Sequence, residues 1–136
     1  MGARVAVIED NRDNLELVTI LLRSLGHEPI TATTGAEGIE LVRREQPDIV
    51  LLDLTMPEMD GFETLRELRR DAGTRAVPVV AVTAHAMVGD REAILAQGFD
   101  GYVPKPIAVD QLVEQLNGHL TDRTRPGRGS RVRRAG

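Results

Sequence analysis

Residues 48–53 read Asp-Ile-Val-Leu-Leu-Asp, four apolar residues in a row closed at each end by a carboxylate. A run this short and this apolar is a strand rather than a helix, and it has no polar face to turn toward water. A strand buried on both faces belongs in the middle of a parallel sheet covered by helices on either side. The segments before and after it can be placed relative to that strand.

Upstream, Arg4–Glu9 (R-V-A-V-I-E) has the same buried character and ends at the polar pair Asp10-Asn11. Residues 12–25 place Leu15, Val18, Leu22 and Leu25 on one helical face, with Gly26 as the expected C-terminal stop. Glu28–Thr33 is a weaker strand, and Glu37–Glu45 a helix that ends before Pro47. Thr33, Thr34 and Gly35 between them are expected to be structural.

Downstream, Leu54–Asp60 is a loop containing Pro57, and Asp60 with Glu63 has the spacing of a capping box that opens a helix to about Asp71. Val77–Val82 is a fourth strand and Thr83–Val88 a loop. A helix near Asp90–Gln97 stops at Gly98, Gly101–Pro104 is a short fifth strand, and Val109–Leu120 is the last helix. Five strands alternating with five helices predict an α/β fold, a doubly wound, five-stranded parallel sheet. The flavodoxin-like strand order 2-1-3-4-5 is the expected arrangement.

The composition agrees and sets limits. A chain of 136 residues that is 41% hydrophobic builds one core, and with only Phe62, Phe99 and Tyr102 as aromatics that core consists of Val, Ile, Leu and Ala. The absence of cysteine removes disulfides, thiolate catalysis and Cys-ligated metals. No apolar run approaches the roughly 20 residues of a membrane span, and the N-terminus lacks a signal-peptide pattern, so a cytoplasmic protein without membrane contact is expected. Residues 121–136 hold six arginines and one acid, which leaves −9 on residues 1–120 of a chain whose net charge is −4. The expected organisation is a domain over 1–120 followed by a basic, disordered tail over 121–136.

Ligands of open parallel sheets bind beyond the carboxyl ends of the strands. Strand one delivers Glu9 and Asp10 to that edge, strand three Asp53, strand four Thr83 and strand five Lys105. With strands one and three adjacent, about 5 Å apart, three carboxylates share one cleft and need a proton or cation to relieve them. An all-oxygen ligand set favours a hard cation, and partly hydrated Mg²⁺ sharing its shell with a phosphate fits best. Lys105 stands two strands from Asp53, roughly 10 Å at the backbone, within reach of a long side chain. It is also the sole lysine among 17 basic residues, a point charge where the chain otherwise uses the guanidinium fork. A carboxylate nucleophile, a metal, a lysine and a hydroxyl donor together describe phosphoryl transfer. Taken singly, each has a plainer reading: Asp10 and Asn11 as caps of the first helix, Asp60 as a cap, Thr83 as a turn former.

The acidic pair Glu9-Asp10, the run Leu51-Leu52-Asp53-Leu54-Thr55-Met56-Pro57-Glu58-Met59-Asp60-Gly61, then Val82-Thr83-Ala84 and Tyr102-Val103-Pro104-Lys105-Pro106 occur in order and at characteristic spacing. In these the chain resembles the receiver domains of two-component response regulators, over about residues 3–120. The resemblance implies a signalling protein rather than an enzyme, with only Mg²⁺-dependent self-phosphorylation and slow autodephosphorylation as chemistry. Asp53 would accept a phosphoryl group from the phosphohistidine of a histidine kinase or a phosphotransfer protein. Asp10, Asp53 and the backbone carbonyl of Thr55 would ligate Mg²⁺, with Glu9 acting through water. Lys105 and Thr83 would bind phosphoryl oxygens, and Thr83 with the switch aromatic Tyr102 would move inward. Output to a downstream protein target would use the face of the fourth helix, fifth strand and fifth helix, with phosphorylation-dependent dimerisation an open expectation. The Lys105-Pro106 bond would be cis. Thr55 and His85 would flank the phosphoryl group, although His85 reads first as a solvent-facing loop residue. The stretch 81–90 is similar to receivers of hybrid kinases and of stand-alone cell-cycle regulators.

Other classes fit less well. An aspartyl-phosphate phosphatase would place a second acid two residues after the nucleophile, where Thr55 stands, and neither a glycine-rich dinucleotide motif nor a phosphate loop is present. With about 16 residues after Leu120 no DNA-binding domain is expected, although an arginine-rich tail could meet nucleic acid nonspecifically. A start just ahead of strand one favours a stand-alone regulator over a receiver fragment of a hybrid kinase. A phosphorylation-independent scaffold is the remaining alternative.

Overall fold

The computed structural model describes residues 2–56, 59–84 and 88–124, with side chains up to residue 120 apart from that of Val88. The elements in chain order are β1 (Arg4–Ile8), α1 (Arg12–Ser24), β2 (Glu28–Ala32), α2 (Gly35–Glu45), β3 (Ile49–Asp53), α3 (Gly61–Arg70), β4 (Val79–Thr83), α4 (Val88–Ala96), β5 (Gly101–Pro104) and α5 (Val109–Thr124). All four strand pairings are parallel and the order is β2-β1-β3-β4-β5, as the sequence predicts. The D-I-V-L-L-D run is the middle strand, and every residue of β3 is buried.

Period-two alternation divides the strands between two cores. Val5, Val7, Ile49, Leu51, Val80, Val82 and Val103 point to one side, where Val18 and Leu22 of α1 and Leu112 and Leu116 of α5 cover them. Ala6, Ile8, Val50, Leu52, Val79 and Ala81 point to the other, beneath Ile39 and Val42 of α2, Leu65 and Leu68 of α3 and Ile94 of α4. Phe62 and Phe99 meet edge to face at 5.7 Å within this second core.

Helix ends carry the expected stop and start chemistry. At the end of α1, Gly26 (φ 88°) donates to Arg23 O and His27 to Leu22 O, the paired bonds of a Schellman motif that needs a left-handed residue. The capping box at α3 is formed in both directions, Glu63 N–H to Asp60 and Asp60 N–H to Glu63. The helix α2 starts two residues ahead of the expected Glu37, because the Thr34 hydroxyl accepts the Glu37 N–H and so caps the turn that includes Gly35. The helix α5 continues to Thr124, past the expected end at Leu120, and residues 125–136 of the basic segment lie outside the described residues. Among the described residues no helix is long and apolar enough to cross a membrane.

Candidate functional site

Strand pairing brings the sequence-predicted residues to one edge. Ile8 of β1 is paired with Leu52 of β3, so Glu9, Asp10 and Asp53 come next at adjacent strand ends. A ligand oxygen from each of these three carboxylates lies within 4.8 Å of the others. Asp53 is the last residue of β3, Thr83 the last of β4, and Lys105 comes directly after β5. The Lys105 N–H donates to Thr83 O at 2.8 Å, which ties the start of the β5–α5 loop to the end of β4. The Lys105-Pro106 peptide is cis, as expected.

The side chain of Lys105 closes the two-strand gap. Its Nζ stands 3.3 Å from Asp53 Oδ1 and 3.4 Å from Glu9 Oε1. Asp53 Oδ1 also accepts the Thr55 N–H at 3.1 Å and the Thr55 hydroxyl at 3.3 Å. Glu9 Oε2 accepts the Asn11 N–H at 3.1 Å. Asn11, and not Asp10, caps α1, its side chain accepting the Asn14 N–H. The Asp10 carboxylate therefore has no capping duty. Asp60 is occupied by its capping box, and Thr33 and Thr34 serve the start of α2, in keeping with their structural reading.

Glu9 and Asp53 are almost fully buried, at 3% and 2% exposure, which makes their charges costly. Burial pushes the Glu9 carboxyl up to about 7. A hydrogen bond with Asp53 and the Asp53 charge add to this, while the Asn11 N–H and Lys105 oppose it. One ammonium against three carboxylates leaves the cluster short of positive charge. That deficit and the all-oxygen donor set are what a hard, partly hydrated dication satisfies, and the residues present fit one.

Beside the acidic cleft, Leu54, Phe62, Ala93 and Ile94 floor a cavity of about 340 Å³ that Thr55, Thr83, Asp60 and Asp90 complete. Thr83 is buried. Tyr102 is half-buried on β5, packed against the core beneath α4, and its hydroxyl accepts from Arg91 at 2.8 Å. The sequence reading missed Arg91: its partner is 11 residues away across a helix end and a turn, and no local pattern joins them. His85, expected to flank the site, lies outside the described residues, as do Pro57 and Glu58.

Comparison with known proteins accords with this geometry. Residues 5–117 match the model of the response regulator receiver domain. The chain is 38% identical over 122 residues to the polar-differentiation response regulator DivK of Brucella ovis, covering 90% of this chain and 99% of that protein. It superposes with TM-score 0.81 on the receiver domain of the sensor histidine kinase PA1611 from Pseudomonas aeruginosa, at 32% identity and over 89% of this chain and 99% of that one. That structure has a magnesium ion coordinated in its active-site cleft. The Vibrio cholerae chemotaxis protein CheY4 shares the fold, with TM-score 0.80 at 24% identity over 88% of this chain and 99% of that one. One strand order, one acidic edge and one family match lead to a single assignment: the chain belongs to the receiver domains of two-component response regulators.

Proposed function

We propose that Asp53 is the phosphoacceptor of this receiver, that Mg²⁺ is its cofactor, and that the phosphodonor is a phosphohistidine on a histidine kinase or phosphotransfer protein in the cytoplasm. The observation that carries this reading is the Lys105 ammonium held 3.3 Å from Asp53 Oδ1 at the edge where Glu9 and Asp10 also converge. An Asp53 carboxylate oxygen attacks phosphorus, the P–N bond to the donor imidazole breaks, and the freed ring nitrogen takes a proton. Water later cleaves the acyl phosphate to inorganic phosphate and restores the carboxylate. The two Thr55 donors fix Asp53 Oδ1 and orient the nucleophile. Lys105 neutralises charge growing on the phosphoryl oxygens, and the Thr83 hydroxyl donates to another of them. Asp10, Asp53 and the Thr55 carbonyl would hold Mg²⁺, with Glu9 supporting it, and the cation would supply charge neutralisation during transfer.

The added charge draws Thr83 inward and Tyr102 with it, which repacks the face of α4, β5 and α5 and alters what a downstream protein meets. The receiver domain spans residues 1–120 in this reading, its last helix running on to Thr124 into the basic segment 121–136. Intact-protein mass after incubation with acetyl phosphate and Mg²⁺ tests the chemistry. One added phosphoryl group, lost in Asp53→Asn and with EDTA, is the expected result. An unchanged wild-type mass together with no binding of beryllofluoride overturns it.

A further inference from the structure

Arg91 lies on α4, the element whose packing the switch has to change. Its Nη1 donates to the Tyr102 hydroxyl at 2.8 Å, and its guanidinium carbon stands 5.7 Å from the centre of the same ring. Both are recognised attractive geometries, a charge-assisted hydrogen bond and a cation over an aromatic face. Among the described residues no carboxylate lies within ion-pairing distance of Arg91. Tyr102 is therefore the group that anchors this guanidinium. Tyr102 is paired in register with Ala81, and Pro104 with Thr83 on the same two strands. In the reading above, in which the ring turns toward Thr83, a turn that carries the hydroxyl away from α4 breaks both contacts with Arg91.

We propose that Arg91 is a positioning residue that latches Tyr102 outward and so sets the threshold of the switch. The inference rests on the reading of Tyr102 as an inward-turning switch residue. It adds to that reading the group that opposes the turn, on a helix remote in sequence from the phosphoacceptor. A contact present in only one of two states biases their equilibrium by its own free energy. By linkage it weakens every ligand of the other state by the same factor. A half-exposed contact of this kind corresponds to a bias of roughly threefold to tenfold.

The chain contains one tyrosine and no tryptophan, so tyrosine emission reports Tyr102 alone. The full chain is titrated with beryllofluoride in excess Mg²⁺, monitoring emission, for the wild type, Arg91→Lys and Arg91→Met. The methionine variant keeps the aliphatic stem and loses the donors and the charge. Its midpoint is expected to fall about threefold to tenfold below the wild type, with Arg91→Lys between them. A methionine midpoint at or above that of the wild type overturns the latch. Calorimetry in a Tyr102→Phe background supplies a second reading: there the effect of Arg91→Met should shrink, and an undiminished effect overturns a route through the hydroxyl. If the wild type binds beryllofluoride by calorimetry while Tyr102 emission stays constant, the switch reading itself fails and the latch falls with it. If emission responds in the wild type and the Arg91→Met midpoint is unmoved, only the latch fails.

Discussion

The same substitution, glycine to alanine, is expected to act with opposite sign at two helical positions. Gly61 is the first residue of α3, and a Cβ built there would stand 2.7 Å from Asp53 O, Leu54 Cα and Leu54 Cδ2. Two of the three are backbone atoms at the end of the central strand, so the methyl cannot be accommodated by a side-chain rotation. Overpacking of this sort costs about 1–3 kcal/mol, and contacts on backbone belong in the upper part of that range. Alanine recovers at most about 1 kcal/mol in helix propensity, which leaves a net loss of about 1–2 kcal/mol for Gly61→Ala. Gly118 is exposed inside α5, and a Cβ there meets nothing within 4 Å. Gly118→Ala is therefore expected to stabilise by about 0.5–1 kcal/mol, through helix propensity and a less flexible unfolded chain. The two variants should differ by about 1.5–3 kcal/mol. At a urea m-value of roughly 2 kcal/mol/M this separates their midpoints by about 1 M, on either side of the wild type, with unchanged slopes by circular dichroism. A Gly61→Ala midpoint equal to or above that of the wild type would show that the β3–α3 junction yields, and would refute the steric argument. The junction matters for function because the Asp53 carbonyl that the methyl would strike belongs to the proposed phosphoacceptor.

Three further outcomes are expected. Asn11→Ala should lose about 1 kcal/mol with the α1 cap yet leave Mg²⁺ affinity unchanged, because Asn11 serves Glu9 through its backbone N–H; urea unfolding and a metal titration read the two separately. Arg69 donates to the carbonyls of Arg75, Val77 and Gly98 and to the Asp100 carboxylate, so Arg69→Met should lower stability by about 1–3 kcal/mol, and a midpoint equal to the wild type would count against that network. Mg²⁺ at a hundred times its dissociation constant should add about 2.7 kcal/mol to the wild type, an increment visible in thermal melts, reversed by EDTA and absent from Asp10→Asn.

How much was legible in the sequence depends on how local each signal is. The D-I-V-L-L-D run declared a central strand because a strand covered on both sides leaves no polar positions, and all of β3 is buried. The acidic edge was legible because parallel strands send their carboxyl ends the same way. The residues at those ends were enough to collect Glu9, Asp10, Asp53, Thr83 and Lys105. The early start of α2 had a signal, Thr34 three residues before Glu37, which the glycine between them obscured. The different surroundings of Glu9 and Asp10 had none. They are adjacent acids, and only the register of β1 decides that Glu9 is buried with Asp53 while Asp10 stays half-exposed. Arg91 had no signal either, since its value lies in where α4 rests on β5.

The use of one lysine among sixteen arginines now has a structural sense. Among the described residues three arginines tie segments together, Arg4 to Glu28 and Glu45, Arg43 to Asp71, and Arg69 to three carbonyls and Asp100, while Arg44 and Arg70 pair within their own helices. Each of these contacts is directional, as suits a scaffold. Lys105 instead faces Asp53 and Glu9 at nearly equal distances, with a compact charge on a flexible stem. Such a group moves from one oxygen to another at little cost as charge is redistributed around it. A guanidinium set into the same gap would fix two oxygens in one plane and resist the change. In the proposed mechanism the residue choice thus separates what holds the sheet edge in place from what responds there, and Arg91, with a single donor on the Tyr102 hydroxyl, stands with the responding groups.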